Sequence, residues 1–143
     1  MGVQSNNLSH TYEIADNFVR GVEPLLGEAR VVGLYGDLGS GKTAFVQGVA
    51  KAFGIKQKIT SPTFVIEKIY KLKEQKFSHM IHIDAYRLER AEELKKLGWL
   101  EIISDPANII FLEWPERVLE ILPQAMDKIR FTFVDENIRE IVF

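Results

Sequence analysis

The sequence predicts an α/β fold, a three-layer sandwich in which helices cover both faces of a mixed, partly antiparallel sheet. Two observations support this prediction. The first half of the chain alternates helical patterns with short apolar runs, as chains that build parallel sheets do. The second half contains alternating segments joined by polar turns, which is typical of hairpins. At 143 residues, the chain fits one domain spanning residues 1–143.

The first half of the chain is predicted to contain two helices and up to two strands. In order, these are an edge strand or frayed start over 1–7, a helix from an N-cap at Ser9 to about Leu26, a strand over 30–35 and a helix over 44–53. Gly27 and Gly54 follow the two helical patterns. Glycine after the last periodic residue commonly ends a helix because it adopts the left-handed conformation without strain.

The second half is predicted to begin with a loop over 58–64, because Pro62 disfavours both a helix and a central strand. The elements predicted after it are a hairpin over 65–72 and 77–84, a helix over 89–97 that ends at Gly98, a buried strand over 108–113, a short helix over 116–122 and a terminal hairpin over 129–134 and 138–143. Residues 99–103 fit either a short helix or a strand. No internal repeat or interdomain linker interrupts this order.

Composition and charge exclude several classes of function. The sequence has 46% hydrophobic and 27% charged residues, which is ordinary for a globular chain. Its net charge of −2 provides no global basic surface to hold nucleic acid by counterion release. There is no cysteine, so disulfides and thiol chemistry are excluded. With no recognisable signal peptide and no apolar run near the ~20 residues of a membrane span, we expect a cytoplasmic protein without membrane contact.

One motif stands between the strand over 30–35 and the helix that follows it. It reads Gly36-Asp37-Leu38-Gly39-Ser40-Gly41-Lys42-Thr43, and Ala44 continues it into the helix. The spacing fits the phosphate-binding loop, in which glycines let backbone N–H groups converge on an anion at a helix N-terminus. A glycine-rich turn with a surface lysine is the simpler alternative, but the flanking strand and helix favour the phosphate loop. The predicted sandwich is therefore P-loop NTPase-like.

The last two residues of the motif have distinct predicted roles. Lys42 would reach the β- and γ-phosphates of a nucleoside triphosphate. The hydroxyl of Thr43 would be a ligand to Mg²⁺, an ion that prefers oxygen ligands and keeps several waters. The motif therefore predicts that the chain binds a nucleoside triphosphate together with Mg²⁺.

Two apolar runs end in a carboxylate, at Asp84 and at Glu113. If both strands lie parallel to the strand before the phosphate loop, both carboxylates face the γ-phosphate. One would hold Mg²⁺ directly or through water, and the other would share the metal or orient the attacking water. Glu113 ends the more continuous strand and is the stronger metal candidate. The alternative is that these acids only cap the turns that follow them.

Five further residues have both a functional and a structural interpretation. His82 shares a strand face with Asp84, and it either orders the site or is a satisfied structural residue. Arg87 would touch phosphate oxygens or pair with a neighbouring glutamate, and Trp114 would stack on a base or partner or fill the core. Ser61 and Thr63 could sense the γ-phosphate as a switch loop does.

Taken in order, four segments resemble one family, the TsaE (YjeE) ATPases. The segments are the phosphate loop over 36–43, Ser-Pro-Thr-Phe over 61–64, His-Ile-Asp-Ala-Tyr-Arg-Leu over 82–88 and Leu-Glu-Trp-Pro-Glu over 112–116. The phosphate loop is common to very many proteins, whereas the other three segments together are much more specific. The resemblance extends from the N-terminal helix to the last strand.

This resemblance implies an Mg²⁺-dependent ATPase with weak turnover alone, stimulated by the partner proteins TsaB and TsaD. The family serves the bacterial biosynthesis of threonylcarbamoyladenosine in tRNA, and tRNA would be met only through the complex. The resemblance also implies residue roles. Lys42 binds phosphates, Thr43 and Glu113 serve Mg²⁺, Asp84 and Trp114 are needed for activity, and Thr11 and Arg139 approach the nucleotide.

Two other functions remain open at this point. A small P-loop kinase would share the phosphate loop, but such kinases usually carry an acceptor pocket and a lid with several arginines. The arginines here are scattered, and the chain leaves little room for a lid. A nucleotide-gated binding module without significant turnover is the third possibility.

Overall fold

The computed structural model describes residues 2–57, 59 and 66–143 of the chain. The predicted loop over 58–64 falls almost entirely outside these residues, and Ser61 and Thr63 fall outside them as well. The described residues form seven strands in one sheet, four α-helices and two 3₁₀ turns. None of the helices in the described ranges is both long and apolar enough to cross a membrane.

The strands are β1 (Gly2–Ser5), β2 (Arg30–Tyr35), β3 (Glu67–Lys71), β4 (His79–Asp84), β5 (Asn108–Glu113), β6 (Asp127–Phe133) and β7 (Arg139–Val142). The helices are α1 (Leu8–Gly21), α2 (Lys42–Ala52), α3 (Ala91–Lys95) and α4 (Trp99–Ile103), and the 3₁₀ turns cover Pro115–Arg117 and Leu119–Ile121. The strand order is β1-β7-β6-β2-β5-β4-β3. The four central strands β6, β2, β5 and β4 are parallel, and β1, β7 and β3 are antiparallel to their neighbours.

Two apolar clusters lie on opposite faces of this sheet, because successive side chains of a strand point to opposite faces. One cluster packs α1 and α2 against the sheet around Phe45 and Phe111. The other packs α3, α4 and the 3₁₀ turns around Trp99 and Ile110. The predicted α/β sandwich with a mixed, partly antiparallel sheet is therefore confirmed.

The two long helices on one face approach each other closely at Gly48. A β-carbon built at this position would lie 2.8 Å from Cβ of Ala15 and 3.1 Å from Cα of Tyr12. A side chain larger than hydrogen therefore has no space where α1 crosses α2. This contact fixes the distance between the two helices and, with it, the position of the phosphate loop at the start of α2.

The boundaries predicted for α1 were wrong at both ends. The N-cap is Asn7, not Ser9, because the Asn7 side chain accepts a hydrogen bond from the backbone N–H of His10. The helix ends at Gly21 rather than near Leu26, and Val22 already has an extended backbone. Pro24 gives the physical reason, since proline restricts the residue before it and cannot donate a backbone hydrogen bond.

The predicted helices after β4 are shorter than their patterns indicated, whereas the predicted strands are confirmed. α3 spans only Ala91–Lys95, since Arg90 is its extended N-cap. Residues 99–103 form a helix, and the segment after Trp114 forms two 3₁₀ turns instead of one short helix. Both predicted hairpins are present as β3–β4 and β6–β7.

Candidate functional site

The phosphate loop connects the carboxyl end of β2 to the start of α2, as its motif predicts. Gly36 has φ 150°, and a β-carbon there would lie 2.7 Å from the carbonyl oxygen of Phe131 and 2.5 Å from Oγ of Ser40. Gly41 caps α2 with φ 108°. Both positions therefore require glycine, the first for close packing and the second for a left-handed backbone. Ser40 is buried, whereas Leu38 is exposed.

Lys42 is buried and folded back onto its own loop. Its ammonium group donates a hydrogen bond to the carbonyl oxygen of Gly36 and lies 3.9 Å from the centroid of the Trp114 ring. Burial lowers the pKa of Lys42, while the carboxylates of Glu113 and Asp84 act in the opposite direction. The site therefore holds a partly desolvated cation, which attracts an anionic ligand, beside acidic groups, which would need a metal cation to offset their repulsion of that ligand.

Both strand-ending acids lie at the same sheet edge as the phosphate loop. Glu113 is paired in register with Leu34 of β2 on one side and with Asp84 of β4 on the other. Burial raises the pKa of Asp84, and the nearby Glu113 charge adds to this effect. A hydrogen bond from the backbone N–H of Tyr86 to Oδ1 of Asp84, 2.9 Å long, opposes it. The predicted convergence of the two carboxylates is confirmed.

The side chain of Glu113 is in contact with that of His82 on the buried side of the site. Nε2 of His82 lies 2.6 Å from Oε2 of Glu113, and both side chains are almost fully buried. This contact favours the functional interpretation of His82 over the structural one. The histidine touches an acid of the site directly.

Trp114 has a left-handed backbone with φ 61°, which is uncommon outside glycine. This conformation lets the chain leave β5 while the indole stays over the phosphate loop, against Lys42 on one side. The ring of Tyr86 lies 5.0 Å from the indole, centroid to centroid. The tryptophan therefore lines the site, and it also packs, partly buried, against the apolar cluster around Trp99 and Ile110.

A cavity of about 300 Å³ lies in front of the phosphate loop. It is lined by Leu38, Gly39, Gly41, Lys42, Thr43, Ala44, Asp84, Glu113, Trp114 and Arg139. A second cavity of about 270 Å³ shares Gly41, Ala44 and Arg139 with the first, and Thr11 lines it. The two spaces therefore adjoin along the loop, with Arg139 lining both.

The structure brings together most of the predicted site residues. Thr11 lies in the second cavity only, and its hydroxyl is 2.6 Å from that of Ser5. Sequence reasoning missed Asn7, Glu136 and Asn137, which also line the second cavity. The polar turn between the last two alternating segments could have indicated the latter two, because β6 runs parallel to β2 and ends at the same sheet edge.

The donor set suits Mg²⁺ better than a transition metal. The candidate ligands are the hydroxyl of Thr43 and the carboxylates of Glu113 and Asp84, all of which offer oxygen. Among the described residues, no cluster of three or more His, Cys, Asp or Glu side chains could hold a metal ion. The residues fit an ion that keeps several waters and takes further oxygens from a bound phosphate.

The chain is similar to a known protein family and to several of its members. The profile of the family described as "Threonylcarbamoyl adenosine biosynthesis protein TsaE" matches residues 5–141. Three relatives are each named tRNA threonylcarbamoyladenosine biosynthesis protein TsaE. The one from Rickettsia bellii is 33% identical over 138 residues, which cover 96% of this chain and 92% of the relative.

The other two relatives match shorter parts of the chain at higher identity. The one from Treponema pallidum is 37% identical over 117 residues, covering 82% of this chain and 83% of its own length. The one from Borreliella burgdorferi is 45% identical over 91 residues, or 64% of each chain.

A solved structure supports the fold as well. The crystal structure of Bacillus subtilis YdiB superposes with a TM-score of 0.74 at 27% identity, covering 99% of this chain and 82% of that one. The family profile spans the chain from β1 to β7, and relatives above 30% identity cover most of it. With a phosphate loop, two strand-ending acids and a Glu-Trp-Pro segment in one site, this chain belongs to the TsaE family.

Proposed function

We propose that this chain hydrolyses ATP in an Mg²⁺-dependent reaction and that it is the accessory ATPase of the complex that installs threonylcarbamoyladenosine in tRNA. One observation supports the proposed hydrolysis of ATP. The phosphate loop, Glu113 and Asp84 lie on three adjacent parallel strands, so that an anion site and two carboxylates share one cavity. This is the set of groups that nucleoside triphosphate hydrolysis needs.

Each residue has a separate task in this proposal. The loop amides and Lys42 bind the phosphate oxygens and stabilise charge that develops on them. Thr43 and Glu113 would hold Mg²⁺, which supplies neutralising charge to the phosphates when it is bound. Asp84 shares that task or orients the attacking water, and its raised pKa is consistent with a carboxylate that is costly to keep ionised without a cation nearby.

Thr11 and Arg139 are proposed to contact the nucleotide beyond its terminal phosphate. Both line the second cavity, which adjoins the first along Gly41 and Ala44. Arg139 lines both cavities, and a guanidinium fits phosphate oxygens well because its donors form a planar fork. Trp114 would sense nucleotide through Lys42, and Thr63, which lies outside the described residues, would contribute as part of the predicted switch segment.

The pathway part of the proposal rests on the family. Relatives of this chain carry the name of a tRNA threonylcarbamoyladenosine biosynthesis protein. We infer that TsaB and TsaD are the partners and that they carry out the transfer to adenosine. The net charge of −2 agrees with a protein that meets tRNA only through that complex.

The direct test is the rate of phosphate release from ATP, measured for the chain alone and with TsaB, TsaD and tRNA. We expect slow turnover alone and stimulation in the complex. Lys42→Ala should abolish nucleotide-driven activity, whereas Lys56→Ala, at an exposed lysine, should have no effect. Glu113→Ala should weaken the Mg²⁺ dependence, whereas Glu120→Ala, at an exposed glutamate, should not. Normal hydrolysis by Glu113→Ala would overturn the metal assignment.

Two other outcomes would favour the remaining alternatives. Transfer of labelled phosphate from ATP to an acceptor other than water would indicate a small kinase. Tight ATP binding with no turnover, even beside TsaB and TsaD, would indicate a nucleotide-gated binding module.

A further inference from the structure

The contact between His82 and Glu113 is shielded from solvent. The side chain of His82 is 0% exposed and that of Glu113 is 4% exposed, and 2.6 Å separates Nε2 from Oε2. A hydrogen bond to a charged group is stronger in such a setting than in water. The geometry of this carboxylate is therefore set by the imidazole and not by solvent.

The sheet register explains why these two side chains meet. His82 is paired with Phe111, two residues before Glu113 on the neighbouring parallel strand. Alternate residues share a face, so His82 and Glu113 lie on the side that α1 and α2 cover. Below them on the same face are Met80 and Ile109, which belong to the apolar core. His82 thus lies between these core residues and Glu113.

The surroundings of the second ring nitrogen, Nδ1, indicate which nitrogen of His82 carries the proton that is shared with Glu113. Nδ1 is enclosed and has no hydrogen-bond partner within the described residues. A proton on Nδ1 would leave a buried donor unpaired, whereas a proton on Nε2 is donated directly to Glu113. In this contact Nε2–H of His82 is therefore the donor and Oε2 of Glu113 the acceptor.

Keeping a histidine at this position is costly for the fold. Among the described residues, Nδ1 gains no hydrogen bond in place of the hydration that it has lost. An apolar residue of similar size would avoid this loss and would extend the core around Phe111. A loss of fold stability is expected at this position if His82 serves Glu113, because functional sites often contain residues that are unfavourable for stability.

We propose that His82 is a positioning residue, whose Nε2–H holds Oε2 of Glu113 so that the other oxygen is presented to Mg²⁺ or to a water bound to it. This inference rests on the proposed role of Glu113 as a metal ligand. Residues that orient a metal ligand in this way contribute about tenfold to a hundredfold to metal affinity. His82 does not itself touch the metal or the nucleotide.

The test compares His82→Leu, which removes the donor, with His82→Gln, which carries an amide donor at a similar reach. Mn²⁺ affinity is measured by electron paramagnetic resonance in the presence of a non-hydrolysable ATP analogue, so that turnover is not involved. We expect His82→Leu to weaken Mn²⁺ binding about tenfold and His82→Gln to restore most of it. Affinity for the analogue in EDTA should stay unchanged in both variants.

Two results would overturn the proposal. One is Mn²⁺ affinity in His82→Leu equal to that of the unsubstituted protein. The other is an equal loss in His82→Leu and His82→Gln together with a loss of analogue binding in EDTA, which would indicate a purely structural role. If His82→Leu does not fold, His82→Asn replaces it, because its donor is too short to reach Glu113. Equal Mn²⁺ affinity of the Asn and Gln variants would then overturn the proposal.

The same experiment separates this inference from the proposed function. A protein that binds Mn²⁺ and the analogue but never hydrolyses ATP would contradict the ATPase proposal alone, and the comparison of variants would still decide the role of His82. Failure of the unsubstituted protein to bind the analogue would overturn both.

Discussion

The ammonium group of Lys42 lies over the indole ring of Trp114, 3.9 Å from its centroid, while it donates a hydrogen bond to the carbonyl of Gly36. A lysine that serves phosphates would have to leave at least one of these partners when a nucleotide arrives. Nucleotide binding would therefore require the Lys42 side chain to move. The ring of Tyr86 also contacts the indole, with 5.0 Å between the ring centroids and 50° between the ring planes.

This relationship predicts a fluorescence signal for nucleotide binding. Addition of ATP should change the emission of Trp114, because the cation moves from its ring to the phosphates. The free Lys42→Met variant should already show emission close to that of the nucleotide-bound protein. The measurement is a titration of intrinsic fluorescence. Identical spectra for the free forms of the Lys42→Met variant and the unsubstituted protein would contradict the prediction.

The control for this titration is Trp114→Phe, which leaves Trp99 as the only tryptophan. Trp99 is fully buried in the apolar cluster beneath α3 and α4, where Nε1 donates a hydrogen bond to the carbonyl of Ile121. Its emission should stay constant when ATP is added. A signal that survives in Trp114→Phe would have a source other than the contact with Lys42.

Replacement of Asp84 should stabilise the ligand-free protein while it abolishes activity. The pKa of Asp84 is raised above 3.8, chiefly by burial, so the folded state bears a cost when this group ionises. Asp84→Asn removes the charge and keeps the oxygen that accepts from the N–H of Tyr86. We expect the melting temperature at pH 7 to rise by a few degrees and phosphate release to cease.

The pH dependence gives a sharper check of this prediction. Between pH 3.8 and the raised pKa, the folded state binds more protons than the unfolded state, so this group's contribution to stability falls as pH rises. The advantage of Asp84→Asn should therefore be constant above that window, shrink as pH falls through it, and disappear below it. Asp105→Asn is the matched control, because Asp105 is exposed and also accepts from a backbone N–H two residues ahead, that of Ala107. An equal gain in both variants would contradict the explanation by burial.

The crossing of α1 and α2 predicts that Gly48→Ala destabilises the fold. The added β-carbon would meet Ala15 at 2.8 Å, which forces the helices apart. We expect the free energy of unfolding to fall by about 1–3 kcal/mol, as for other overpacked sites. Chemical denaturation measures it. Gly21→Ala, at the end of α1 with no heavy atom within 4 Å of the new carbon, should change it by less than about 1 kcal/mol.

Arg139 is predicted to contribute to nucleotide affinity although it lies far from the phosphate loop in sequence. It lines both cavities, and its side chain rests close to Gly41. Arg139→Gln should weaken ATP binding about tenfold or more, the value of one charge-assisted hydrogen bond. Isothermal titration calorimetry measures this affinity. Arg20→Gln, at an exposed arginine on α1, should bind ATP as the unsubstituted protein does.

The parts of the fold that depend on short sequence patterns could be predicted well. β5 is a continuous apolar run that ends in Glu113, and every one of its residues is buried. The phosphate loop combines residue type, spacing and flanking elements, which left little room for another interpretation. These two features, with the rule that parallel strands end at one edge, predicted that Glu113 lies beside the phosphate loop.

The rest depended on tertiary contacts that a local pattern does not carry. The end of α1 was misjudged because the apolar residues beyond Gly21 continue the helical pattern, whereas the conformational restriction at Pro24 decides the outcome. The contact of His82 with Glu113 requires the register of β4 against β5. The second cavity requires the turn after β6 to meet the N-terminus of α1, which are far apart in the chain.

The pairing of β1 with β7 has a consequence for how the protein is made. Gly2 is in register with Val142, so β1 has no strand partner until β7 is present. Contacts of this sequence separation form late, because a long loop must close first. During synthesis on the ribosome, β1 therefore remains unpaired until β7 has emerged. Because β7 also carries Arg139, pairing of β1 completes the sheet edge in the same step that completes the candidate site.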